Sequence, residues 1–226
     1  MKTSLDYIKK LAESTAKLEA QLDSVKKAAA ILAQAQKEDR LIHVFGAETP
    51  ASALIADIFF RPGAPVNIDP MVDPSLDIAH GAYRNAMCLE LDGLAPCILD
   101  YYEYVNAGDP FLLLGSDAEA LMFSQALEWA KRKGLVTIAV ICGDSDCEAD
   151  VVLRHGDKAD AFDTVGGSAI GGEQTALMSA LLQMLLIETA DLLDKPEEQL
   201  WQGGHLCDIG ANQQNIDRLL YRIRHL

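Results

Sequence analysis

Four stretches of this chain hold residues that could do chemistry. Gly115-Ser116-Asp117-Ala118 follows the apolar run Phe111–Leu114 and precedes a segment of helical composition. A turn of this kind exposes backbone N–H groups that, with a serine hydroxyl, can hold an anion. Asp117 opposes that use, because its carboxylate can take the same N–H groups as a helix cap. Three readings stay open: an ordinary capped helix, a rearranged phosphate loop on Ser116, and a site for an uncharged or cationic ligand. The second stretch, Gly166-Gly167-Ser168-Ala169-Ile170-Gly171-Gly172, places four glycines and a serine before an apolar helix. Glycine lets a ligand approach the backbone, so Gly167 and Ser168 are the stronger anion candidates. Glu173 comes next, where an acid suits a first helical turn but repels phosphate.

The third stretch, Gly46-Ala47-Glu48-Thr49-Pro50, joins a strand to a helix, with Thr49 expected as cap and Pro50 as first helical residue. The fourth surrounds His80, beside Gly81 near a helix start and the histidine best placed for acid–base work. His43 lies within a strand and is expected to pack in the core, while His205 sits on a flexible segment. Asp144, Asp146, Glu148 and Asp150 lack the glycine and register of a calcium loop and read as a solvated acidic loop. Cys142 and Cys147 have no second cysteine pair, so no zinc site is expected. With no Walker lysine motif and no GxGxxG after a strand, no cofactor is expected either.

These stretches need elements to position them. Leu41–Phe45, Phe111–Leu114 and Leu135–Cys142 are apolar runs of strand length, with helical patterns at Ala51–Phe60 and Ala118–Lys133 between them. Strand, helix, strand with short connections is a βαβ unit, hence a parallel sheet covered by helices. Its carboxyl edge is where α/β folds bind ligands. Val66–Ile68 and Val151–Leu153 are short strands, and Asp69–Leu76, with two prolines, is loop. Further helices are expected over 78–92, 96–104, 173–193 (apolar nearly all round, hence buried) and 212–224. Residues 3–38 read as one long helix capped by Ser4, with an apolar stripe from Leu5 and Ile8 to Leu32. That stripe lies on its own domain or partly against a second subunit.

The charge, 19 basic against 34 acidic residues, is −15. It disfavours nucleic acid and anionic membranes as partners and gives no general pull on a phosphorylated substrate. Five scattered cysteines without CxxC, an amphipathic start without a signal-peptide core, and no membrane-length apolar run point to a reduced, cytoplasmic protein.

The order of these elements resembles the SIS (sugar isomerase) domain family. The residues that carry the likeness are LIHVFG, DPFLLLGSDAEA with WAKRKGLVTIAVI, the glycine–serine loop before a buried helix, the segment HGAYRNAMCLELDG and the tail DRLLYRIRHL. The last two are most similar to a bacterial branch grouped with phosphoheptose isomerases. The resemblance implies one α/β domain over residues 1–226: a helical arm at 1–38, a three-layer α/β/α, flavodoxin-like core with a five-stranded parallel sheet at 39–194, and a helical tail at 195–226. It implies a homodimer or tetramer that binds a sugar phosphate, with Gly46, Thr49, Ser116, Gly167 and Ser168 at the ligand. In some members a glutamate moves a proton between adjacent sugar carbons, a role that would fall to Glu173, or to Glu48, with His80 as partner. Three motifs depart from the family. The turn after the first strand keeps only its first glycine, Gly115-Ser116-Asp117-Ala118 replaces a Ser-x-Ser-Gly loop, and Ala79-His80-Gly81 stands where His-Glu-Gly is usual. A cofactor-independent isomerase, a non-catalytic sugar-phosphate binder and a scaffold without the phosphate site are the functions left open.

Overall fold

The computed structural model describes residues 3–157 and 161–226. Five parallel strands form the sheet: β1 Ile42–Gly46, β2 Ile68–Met71, β3 Pro110–Leu114, β4 Val136–Cys142 and β5 Val151–His155, in the order β2-β1-β3-β4-β5. The α/β class and the parallel sheet agree with the sequence reading. Alternate residues serve opposite faces. Ile42, Val44, Leu112, Leu114, Ile138 and Val140 meet the helices α2 (Leu22–Lys37), α3 (Thr49–Ile58) and α7 (Gln174–Asp191). Phe45, Phe111, Leu113, Ala139 and Ile141 meet α5 (Leu94–Leu99) and α6 (Leu121–Arg132) on the other face. Both faces are covered, so the strands lack a polar/apolar alternation, and the polar residues within them, such as His43, Asp69 and Thr137, are buried.

Several local expectations are corrected. The first helix is two: α1 (Ser4–Ala16), a 3-10 turn at Lys17–Gln21 that buries Leu18, then α2. Its cap is Thr3, not Ser4, in a reciprocal capping box with Asp6. The segment from Asp69, read as loop for its prolines, contains most of β2. Proline is tolerated there because β2 is an edge strand. Residues 78–92 split into a 3-10 turn (Ile78–His80) and α4 (Ala82–Leu89), broken at Gly81, whose φ is +123°. The helix expected at 96–104 is α5, and that expected at Ala118–Lys133 starts only at Leu121. Asp117 is therefore no helix cap; it accepts the Glu119 N–H at 3.0 Å in the preceding turn.

The Gly166–Gly172 stretch is no cradle at a helix start. Gly166 and Gly167, both at positive φ, turn an antiparallel hairpin of β6 (Asp163–Val165) and β7 (Ser168–Ile170). Two consecutive positive-φ residues match the twist of paired strands. Helix α7 buries Leu177, Leu181 and Leu185 but leaves Ile187 exposed, so it is covered on one side only. The acidic loop is partly engaged: Asp150 accepts the Thr137 N–H at 2.8 Å and hydroxyl at 2.7 Å.

In the tail, α8 (Pro196–Gln199) precedes α9 (Ile209–Leu219), which begins and ends earlier than expected. Fully buried Asn212 holds α9 to the 202 turn: it accepts the Gln202 N–H at 2.8 Å and donates to the Gln202 and Asp208 carbonyls. Asn212→Leu should strand these buried groups and destabilise the protein by about 1–3 kcal/mol, read by urea denaturation. Arg218 and Arg222 pair with Asp39, and Arg224 stacks 3.6 Å over the Tyr101 ring, bringing the last residues beside β2.

Candidate ligand site at the carboxyl edge

The strand order reverses direction between β1 and β3, so a crevice opens where their carboxyl ends part. Two glycines keep it tight. A Cβ on Gly46 would lie 2.4 Å from the Ser52 nitrogen, and one on Gly115 would lie 2.6 Å from the Phe123 ring. Glu48 bridges this crevice. One carboxylate oxygen accepts the Ser116 N–H at 2.7 Å and the other accepts the Ser116 hydroxyl at 2.8 Å. Glu48 is also the N-cap residue of α3, in place of the expected Thr49, yet its side chain makes no hydrogen bond to that helix.

Thr49 acts in the wall. Its hydroxyl donates at 2.8 Å to buried Asn85, whose amide donates at 2.9 Å to the Ser75 carbonyl. Ser52 donates to the Leu76 carbonyl. These bonds fix the 74–76 segment against α3 and shape a cavity of about 320 Å³ beside the carboxyl ends of β1 and β2. Gly46, Ser52, Met71, Asp77, His80 and His225 are among its lining residues. Asp73 and Asp77 spend their carboxylates capping the two 3-10 turns that carry the wall.

Sequence reasoning missed His225. Its signal was the tail, which was used for resemblance and not for chemistry. Its Nε2 lies 2.9 Å from the Tyr102 hydroxyl, which also contacts the Val72 carbonyl at 2.8 Å and the Val72 N–H at 2.7 Å. Tyr102 has one proton to give. If it goes to the Val72 carbonyl, Nε2 of His225 must be the protonated nitrogen, and Nδ1 keeps its lone pair. Burial holds the His225 pKa below its ordinary value, which favours this neutral form. Burial likewise raises the Tyr102 pKa far above that of a free phenol, so it stays protonated.

The remaining candidates lie elsewhere. Glu173 is 8% exposed, and its carboxylate pairs with Lys10 at 3.1 Å and accepts the Ser14 hydroxyl at 3.2 Å, both from α1. It faces a separate polar cavity of about 240 Å³ at the ends of β4 and β5, shared with Lys17, Arg154 and His155. Gly167 and Ser168 are exposed on the β6–β7 hairpin. Within the chain, Gly46 and His80 share one cavity and Glu48 meets Ser116, while Glu173 joins neither group.

His43 is fully buried, as expected; burial opposes a charge on it, and its hydrogen bonds to Asp109 and Asp69 raise its pKa above the ordinary value. Its Nδ1 lies 2.8 Å from Asp69 and its Nε2 3.4 Å from Asp109, at the opposite end of the strands from the crevice.

Comparison with known proteins gives a consistent picture. The SIS domain profile matches residues 6–142. A UPF0309 protein of Brucella ovis is 28% identical over 241 aligned positions, covering 97% of this chain and 95% of that protein. A UPF0309 protein of Geobacillus thermodenitrificans is 28% identical over 118 positions, 52% of this chain and 47% of its own. Two solved structures share the fold. A phosphoheptose isomerase from Francisella tularensis has a TM-score of 0.51 at 16% identity, covering 81% of this chain and 98% of its own. One from Neisseria gonorrhoeae has a TM-score of 0.56 at 14% identity, covering 82% and 96%.

Proposed function

The chain belongs to the SIS domain family, and on that premise we propose that it binds a small sugar phosphate or related carbohydrate derivative at the carboxyl edge of its sheet. The observation that carries this reading is the 320 Å³ cavity beside Gly46, which has the size of a small-molecule site and polar groups converging on it. The phosphoheptose isomerases with this fold supply the ligand class. Thermal shift against matched free and phosphorylated sugars is the test. A ligand at a hundred times its Kd stabilises the native state by about 2.7 kcal/mol. His80→Ala should abolish that stabilisation, and no shift with any sugar at high concentration would overturn the reading.

A second reading, aldose–ketose isomerisation, is favoured by the two imidazoles of one cavity. Moving a proton between adjacent carbons needs a base at one and an acid at the carbonyl. Neutral His225, with Nε2 tied to Tyr102, offers Nδ1 as the base, and His80 faces the same space as the acid. Isomerase activity lost in both His225→Ala and His80→Ala would support it, whereas full activity in either variant would remove that residue from the mechanism. Glu173 enters this scheme only if a neighbouring subunit brings its cavity close. Glu48 on the Ser116 donors favours binding without turnover.

We also read the protein as a homo-oligomer. Helix α1 buries none of its residues, and Leu5 and Ile8 are 71% and 59% exposed. An apolar stripe left open on its own chain suits a second copy. Light scattering should give at least a dimer at micromolar concentration, and the pair Leu5→Glu, Ile8→Glu should shift it toward monomer. A wild-type monomer would contradict this. No helix among the described residues is long and apolar enough to cross a membrane.

A further inference from the structure

We propose that Glu48 is a built-in anion that competes with phosphate for the Ser116 donors, so that it sets the preference of this site between phosphorylated and unphosphorylated sugars. The inference rests on the reading that the carboxyl edge binds a carbohydrate derivative, and it deepens that reading by naming the residue that selects the ligand.

Two observations point to Glu48. Its two oxygens sit on two donors of one residue, 2.7 Å from the Ser116 N–H and 2.8 Å from the Ser116 hydroxyl. These are the lengths of charge-assisted bonds, and two oxygens of a phosphate would make the same pair of contacts. Second, Glu48 stands at the start of α3 and leaves the free N–H groups of that helix unused. Its side chain crosses instead to a loop 68 residues away in sequence. The contact closes the crevice between β1 and β3, the switch point where ligands of doubly wound sheets sit.

The physical consequence is exclusion. A phosphate entering this loop must displace a carboxylate that already satisfies both donors. If the carboxylate stays nearby, the phosphate also meets like charge, in a chain whose net charge is already −15. A sugar hydroxyl meets no such barrier, because it can donate to the Glu48 carboxylate where it lies. Wild-type protein therefore holds a phosphate on these donors less tightly than it would without the carboxylate, and removing the carboxylate shifts the preference toward the phosphate ester.

Titration calorimetry with inorganic phosphate tests the inference without knowledge of the natural ligand. Glu48→Ala should bind phosphate at least tenfold more tightly than wild type, and adding Ser116→Ala should remove the gain. Glu48→Gln, which keeps the shape and removes the charge, should fall between the two and serves if the alanine variant does not fold. Equal or weaker phosphate binding in Glu48→Ala and Glu48→Gln would overturn the proposal. The outcome for the sugar reading is separate. Phosphate gained in the variants, with no response of wild type to any free or phosphorylated sugar, would keep the role of Glu48 and reject the carbohydrate ligand.

Discussion

Replacing His43 with leucine should destabilise the fold by about 3–5 kcal/mol, the loss expected when one member of a buried charge group is removed. The side chains of His43, Asp69 and Asp109 are 0%, 3% and 2% exposed. Leucine would fill the volume and leave two carboxylates facing an apolar gap. Arg40 at 3.4 Å and the Asn106 N–H at 2.9 Å would still hold Asp109, but Asp69 would lose its imidazole partner. The effect should depend on pH. Burial opposes a charge on His43, yet its hydrogen bonds to Asp109 and Asp69 outweigh burial and raise its pKa. Burial likewise pushes Asp109 up, but the hydrogen bonds from His43 and the Asn106 N–H bring its pKa below the ordinary value. The raised histidine contributes stability that is full below its unfolded pKa of about 6.5 and lost as pH rises through the folded value. The lowered carboxylate contributes above about 3.9 and is lost as pH falls through its folded value. The difference between wild type and variant should therefore be widest between about pH 4 and 6.5 and narrow on both sides. Denaturant titrations across this range check it, and a difference independent of pH would contradict a raised histidine pKa.

Gly46→Val should both destabilise the protein, by about 1–3 kcal/mol, and abolish ligand binding. The first added carbon alone would lie 2.4 Å from the Ser52 nitrogen and 2.5 Å from its Cα, both backbone atoms that cannot rotate away. Helix α3 must move outward, and it carries Ser52 and Ala53 of the cavity wall as well as the Thr49 hydroxyl that anchors Asn85. The two effects separate by measurement: calorimetry on the folded fraction reads binding and thermal denaturation reads stability. Wild-type affinity in a folded Gly46→Val protein would place the ligand elsewhere.

The fold was legible in the sequence where burial leaves a local mark. Phe111–Leu114 and Val136–Cys142 are covered on both faces, so they are almost wholly apolar, with Thr137 the exception, and stand out as strands. Strand β2 left no such mark. Its Asp69 is buried only because His43, 26 residues earlier, meets it, and its Pro70 is accommodated only because nothing pairs on its outer side. The Gly166-Gly167 turn could have been recognised as a hairpin from the β-branched residues on either side. Four glycines before a helix suggested an anion loop instead. The placement of Gly46 and Ser116 at the carboxyl edge was legible from strand ends, and that of His80 from its loop. The Glu48–Ser116 contact spans 68 residues and the Tyr102–His225 contact 123, and no local pattern announces either. The same loop that argued against an ordinary phosphate site through Asp117 is closed in the structure by Glu48.

The most direct test of the account follows backbone amides by ¹H–¹⁵N spectroscopy while wild-type protein is titrated with an unphosphorylated sugar that gives a thermal shift. The resonances of Gly46, Ser52, Asp77, His80 and Ser116 should move together, while those around His43 stay in place. Shifts confined to Arg154, His155 and Glu173, or no shifts at millimolar sugar, would contradict a ligand site at the carboxyl edge beside β1.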